Sequence, residues 1–136
     1  MAPVPHAAAE LNPTPSPGSV SYEDFLRQDR EGSAEWVDGE VIAMSPAGSR
    51  HQLVADFLTA LLRLFVEARD LGVVLSAPFQ MKTAPDLPGR EPDLLFVART
   101  HLDRLKDTHL AGPADLAVEL VSPESRTRDR GQKFHE

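Results

Sequence analysis

A single stripe of side chains sets the main constraint on this chain. Leu53, Val54, Phe57, Leu58, Leu61, Leu62 and Phe65 recur at helical spacing and form one wide apolar face. A helix with such a face must lay it on another layer. The segments downstream supply that layer. Residues 73–75 and 79–81 read as a long strand interrupted around Pro78. Residues 93–97 and 116–121 read as two further strands, the last ended by Ser122-Pro123. Upstream, Tyr22, Phe25 and Leu26 form the apolar side of a short helix that Ser21 caps and that runs to about Asp29. Asp38-Gly39 between two short apolar runs signals a two-residue hairpin, in which both turn residues take positive φ.

Ser49 and Gln52 fit a capping box at the start of the long helix, which ends near Asp70 with Gly72 just beyond. Residues 84–92 form a proline-rich turn. Thr100 and Asp103 cap a short helix through Leu105, Gly112-Pro113 breaks the chain, and another helix begins near Thr127. The order is short helix, hairpin, long helix, three strands and the start of a helix. That order predicts an α/β or α+β domain with a mostly buried central sheet.

Residues 1–18 hold five of the twelve prolines and read as a disordered tail, leaving 19–136 as one domain. An apolar content of 41% excludes a wholly disordered chain. The absence of cysteine excludes disulfides, thiolate metal sites and a cysteine nucleophile. Residues 57–66, the longest apolar stretch, are broken by Thr59 and Arg63, whereas a membrane span needs ~20 mostly apolar residues. The N-terminus lacks the basic-then-apolar order of a signal peptide, so the chain reads as cytoplasmic. A net charge of −7 disfavours broad, non-specific nucleic-acid binding. It remains compatible with an enzyme that touches DNA locally and brings a divalent metal.

Glu119 stands in the middle of an apolar run. A strand apolar on both faces is buried, and a carboxylate there must be paired, protonated or metal-bound. Asp93 opens the preceding strand, where a turn residue is also common. Together the two can share a hard cation such as Mg²⁺ or Mn²⁺.

Pro92-Asp93 followed by Glu119-Leu120-Val121 resembles the PD-(D/E)XK nuclease superfamily. The surrounding text is similar to one branch, the Uma-two family of restriction-endonuclease-like proteins. The resemblance rests on Trp36-Val37-Asp38-Gly39-Glu40, Ser49-Arg50-His51-Gln52, residues 91–97, residues 117–123 and Asp129-Arg130-Gly131-Gln132-Lys133, in that order. It implies a restriction-endonuclease-like core, with a short helix and hairpin ahead of a long helix packed on a central mixed sheet.

The resemblance also implies a site. Asp93, Glu119 and the backbone carbonyl of Leu120 would hold Mg²⁺ or Mn²⁺ for hydrolysis of DNA phosphodiesters. The superfamily's lysine belongs two residues after the second acid, but this chain has Val121 there. Lys133, which the branch tends to carry, takes that role by resemblance; the plainer reading is a solvated partner of Asp129. Glu40, His51 and Gln80 are candidate supporting residues, each with an ordinary structural reading beside it. Glu40 reads equally as an exposed hairpin residue, His51 as a satisfied helix-start histidine and Gln80 as a strand-surface residue.

Two rival readings remain open: a catalytically inactive binding module on the same fold, and a metal-dependent hydrolase that is not a nuclease. Cutting both strands of a duplex favours a two-fold homodimer. By resemblance the last helix continues and a strand follows, so the chain reads as C-terminally truncated. No Gly-rich phosphate loop, HExxH or GxSxG occurs.

Overall fold

The computed structural model describes residues 18–121. The expected tail and the helix near Thr127 lie outside them. Helix α1 (Tyr22–Arg27) starts at Ser21, whose hydroxyl oxygen accepts the Asp24 N–H at 3.1 Å. It stops before Asp29 because Gln28 is already extended. Strands β1 (Ala34–Val37) and β2 (Glu40–Ala43) form the expected antiparallel hairpin. Asp38 and Gly39 take φ of 49° and 89° at its turn. Both are positive, as the two-residue turn requires.

Helix α2 (Ser49–Ala68) begins one residue earlier than a capping box needs. Gly48 is the N-cap and gives no side-chain cap bond. Ser49 is therefore already inside the helix, and Gln52 bonds Asp56 Oδ1 at 2.9 Å instead.

Six more strands follow: β3 (Gly72–Ser76), β4 (Gln80–Lys82), β5 (Gly89–Arg90), β6 (Leu94–Ala98), β7 (His109–Ala111) and β8 (Leu116–Val118). A 3₁₀ turn, Arg99–Arg104, joins β6 to the β7 region. The strands form two sheets. A mixed five-stranded sheet has the order β2-β1-β5-β4-β7, and an antiparallel three-stranded sheet has the order β3-β6-β8. The run expected as one interrupted strand is thus two strands in different sheets, with the chain crossing between them at Ala77-Pro78. The proline-rich turn contains β5, whose Gly89 pairs with Trp36 of β1.

Strand β6 is the centre of the fold, and its alternating side chains serve two layers. Leu94 and Phe96 join Val66, Val74, Leu58, Leu62 and Val118 in the core under α2. Leu95 and Val97 join Leu110, Leu75, Phe79 and Met81 between the sheets. A third cluster, Tyr22, Phe25 and Ala34 with Trp36, ties α1 to β1.

The helical stripe is only half used. Leu58, Leu62 and Val66 pack on the three-stranded sheet, while Leu53 and Phe57 stay 70% and 65% exposed and Leu61 and Phe65 about as open to solvent as covered. The sheet is too narrow to cover the rest. Its edge strand β8 presents Leu116 to solvent, and no further strand pairs with it among the described residues. For the same reason the expectation of a strand buried on both faces fails at β8. That strand ends at Val118, leaving Glu119 just past it and half-buried.

Candidate functional site

Asp93 sits at the entrance to β6, and its backbone carbonyl accepts the Ala77 N–H at 3.0 Å. Two groups from distant parts of the chain hold its carboxylate. His51, in the first turn of α2, places Nε2 2.9 Å from Oδ1. The backbone N–H of Leu120 donates to Oδ2 at 2.7 Å. An ionised carboxylate only accepts, so His51 donates its Nε2–H, and each carboxylate oxygen retains a lone pair. The two side chains are 24% and 18% exposed, open enough for a ligand to approach.

The register explains why Leu120 arrives here. Leu94 lies opposite Val118 and Leu95 opposite Ala117. One step further, beyond the end of the ladder, Glu119 falls opposite Asp93. At that step the backbone of β8 leaves the ladder and Leu120 N–H turns to the Asp93 side chain. The ladder thus brings the chain at Glu119 level with the start of β6, where Asp93 stands, and the bond that joins the two segments there is Leu120 N–H to Asp93. Val121, at the superfamily's lysine position, is 50% exposed. Lys133 lies outside the described residues.

The supporting candidates divide. His51 is at the site, bonded to Asp93. Glu40 is exposed at the start of β2, opposite Val37, and makes no hydrogen bond or ion pair among the described residues. Gln80 is buried, 6% exposed, and does not touch Asp93. Its Nε2 donates to Ala34 O at 2.7 Å and to Glu91 Oε2 at 3.0 Å. The same Glu91 oxygen accepts the Ala34 N–H at 3.2 Å.

Glu91, two residues before Asp93, is the residue that sequence reasoning left without a role. It links β1 and β4 to the segment that carries Asp93. In the sequence it shows only as a charge at the head of the 91–97 motif, next to Pro92. One residue earlier, Arg90 Nη1 meets Glu35 Oε2 at 2.9 Å, with side chains 10% and 2% exposed.

A second region gathers polar chemistry under α1. A cavity of ≈ 940 Å³ is lined by Tyr22, Trp36, Lys82 and His109 among others, and Asp93 is not part of its wall. The Lys82 ammonium stands 4.0 Å from the Trp36 ring centroid and 4.4 Å from that of Tyr22. Burial pushes Lys82 and His109 down, and burial pushes the Tyr22 hydroxyl up to about 12. Among the described residues no three His, Asp or Glu side chains converge as a metal cluster.

The mixed sheets with the long helix laid on them have a restriction-endonuclease-like fold. The family model for Uma2, described as "Putative restriction endonuclease", matches residues 22–136, and the chain belongs to that family. A solved structure described as "a putative nuclease belonging to DUF820 from Anabaena variabilis ATCC 29413" is similar in fold, with a TM-score of 0.66 at 16% identity. The match covers 85% of this chain, which spans 66% of that chain's length. No curated protein matches the chain.

Proposed function

We propose that this chain carries the hydrolytic centre of a divalent-metal-dependent endonuclease that cuts DNA phosphodiester bonds at Asp93 and Glu119. The observation that supports it is the Asp93 carboxylate, fixed at once by His51 and the Leu120 N–H, in a chain of the Uma2 family. The donor set suits a hard cation: carboxylate oxygens of Asp93 and Glu119 and the Leu120 carbonyl. Mg²⁺ is commonly held by one or two carboxylates, with water and substrate phosphate completing the shell, so a cluster of three acids is not required. When bound, such a cation supplies a water of lowered pKa and neutralises charge on the scissile phosphate.

The chain's own residues do the positioning. His51 and the Leu120 N–H each hold one oxygen of Asp93, so the carboxylate cannot swing away from the β6–β8 junction. Lys133 is the cation assigned to the attacking water or the leaving charge, the task Val121 cannot perform.

That same Val121 favours a second reading, an inactive binding module. One assay separates the readings: cleavage of plasmid DNA, RNA and a small phosphodiester with Mg²⁺ or Mn²⁺, compared with Asp93→Ala. The nuclease reading expects metal-dependent DNA cleavage that falls at least ~100-fold in Asp93→Ala, since loss of a positioned charged group at the reacting centre costs on that order. Cleavage of the small diester alone points to a non-nuclease hydrolase. DNA binding without cleavage, or cleavage unaffected by Asp93→Ala, overturns the proposal.

A further inference from the structure

Helix α2 has two apolar sides, and the described residues cover one. Leu58, Leu62 and Val66, four residues apart, face the sheet. On the opposite side, Leu53, Phe57, Ala60 and Leu64 are exposed at intervals of four, three and four, the spacing of a coiled-coil seam. Leu64 is 70% exposed, as open as Leu53, and Val54 and Leu61 extend the patch along one flank. The uncovered apolar area is on the order of 600 Å², the upper end of what monomers carry.

We propose that the occupant of this face is a second copy of the same chain, docked α2 against α2, antiparallel, about a two-fold axis. The reason to choose a copy is self-complementarity. With Leu53 against the partner's Leu64, Phe57 meets the partner's Ala60 and Val54 meets the partner's Leu61. The same register sets Asp56 beside the partner's Arg63, and by symmetry Arg63 beside the partner's Asp56. Both residues are exposed, and Arg63 makes no hydrogen bond or ion pair among the described residues. A parallel pairing sets Asp56 and Arg63 against Leu61 and Ala68 and leaves the charges unmatched, so the charge pattern selects the antiparallel arrangement. Two copies would hide ~1,200 Å², the lower end of specific protein interfaces.

The test is sedimentation of the intact chain with charge reversal. The proposal expects a species of twice 14.9 kDa at micromolar concentration. Asp56→Arg and Arg63→Asp should each weaken association about tenfold, and the double swap should restore it, because exposed pairs of this kind contribute modestly and two are lost per dimer. Unchanged far-UV circular dichroism shows that each variant folds.

The chain has no cysteine, so Leu53→Cys with Leu64→Cys gives a second, independent readout. Eleven residues of helix separate the two thiols by about 16 Å, too far for a bridge within one chain. Mild oxidation should then yield a closed covalent dimer. A monomer at all concentrations, single reversals without effect, a double swap no better than either single, or open-ended disulfide polymers each overturn the proposal.

Discussion

Replacing Arg90 by methionine removes the cation from a carboxylate that is almost fully enclosed. Glu35 is 1% exposed and Arg90 8%, and they meet at 2.9 Å between β1 and β5. Methionine keeps most of the arginine stem, so packing changes little and the main loss is charge. Leaving one partner of a buried pair uncompensated costs ~3–5 kcal/mol. Against a domain stability of ~5–15 kcal/mol, that is a large share. Replacing both partners by apolar residues of similar size costs less than the single replacements added together, because neither charge is then left desolvated and alone. Arg90→Met alone should therefore lose up to ~3–5 kcal/mol, and Glu35→Leu with Arg90→Met should lose clearly less than the two single replacements together. Urea unfolding followed by the fluorescence of Trp36, the chain's one tryptophan and the cross-strand partner of Gly89 in β5, reads both. Single-variant losses that simply add in the double variant would show that the two side chains are not coupled, and the reasoning would fail.

The two apolar environments of the fold separate in the same assay. Leu94→Ala, at 0% exposure under α2, should cost ~2–5 kcal/mol, whereas Leu53→Ala in dilute protein should stay within ~0.5 kcal/mol. Equal losses would mean that the helix packs on another face. Asp115 accepts the Ala98 N–H at 2.7 Å and also meets His101, and the Ala98 bond chiefly holds its carboxyl below the ordinary 3.8. The stability it contributes is complete above pH 3.8 and is lost as pH falls through the lower, folded value. Carboxyl chemical shifts should place its midpoint below 3.8, and a midpoint at or above that value would remove the bond from the argument.

The helix, the hairpin and the strand carrying Asp93 were legible in the sequence because each rests on a local signal. Ser21 caps α1, Asp38-Gly39 turns the hairpin, and the leucine stripe has the helical period. Periodicity marked α2 as wide but carried no information about how much sheet would be available to cover it. Leu53 and Phe57 match the pattern as well as Leu58 and Leu62 do, yet only the latter pair finds β3, β6 and β8 beneath it. Strand β5 was invisible because two residues, one of them glycine, give no period, and its pairing with Trp36 is settled by tertiary contact.

At the site, Asp93 and Glu119 stood out as charges beside apolar runs. His51 was legible only as a supporting candidate and Leu120 only through its carbonyl, and neither was tied to the Asp93 carboxylate. The His51 contact spans 42 residues and the Leu120 N–H is a backbone group, so neither bond to Asp93 leaves a trace in local sequence. Glu91 braces the segment against the far sheet through a similar long-range bond, accepting the Ala34 N–H from 57 residues away.

Calorimetric titration of Mn²⁺ into the intact chain and into Asp93→Ala tests the acid pair most directly. A hard-cation centre at Asp93 and Glu119 requires saturable binding of one Mn²⁺ per chain. Asp93→Ala should weaken that binding by about tenfold or more, the loss expected when one of two anionic oxygen ligands is removed. Binding of equal strength in the two proteins, or no saturable binding in the parent, would contradict a metal centre built on Asp93.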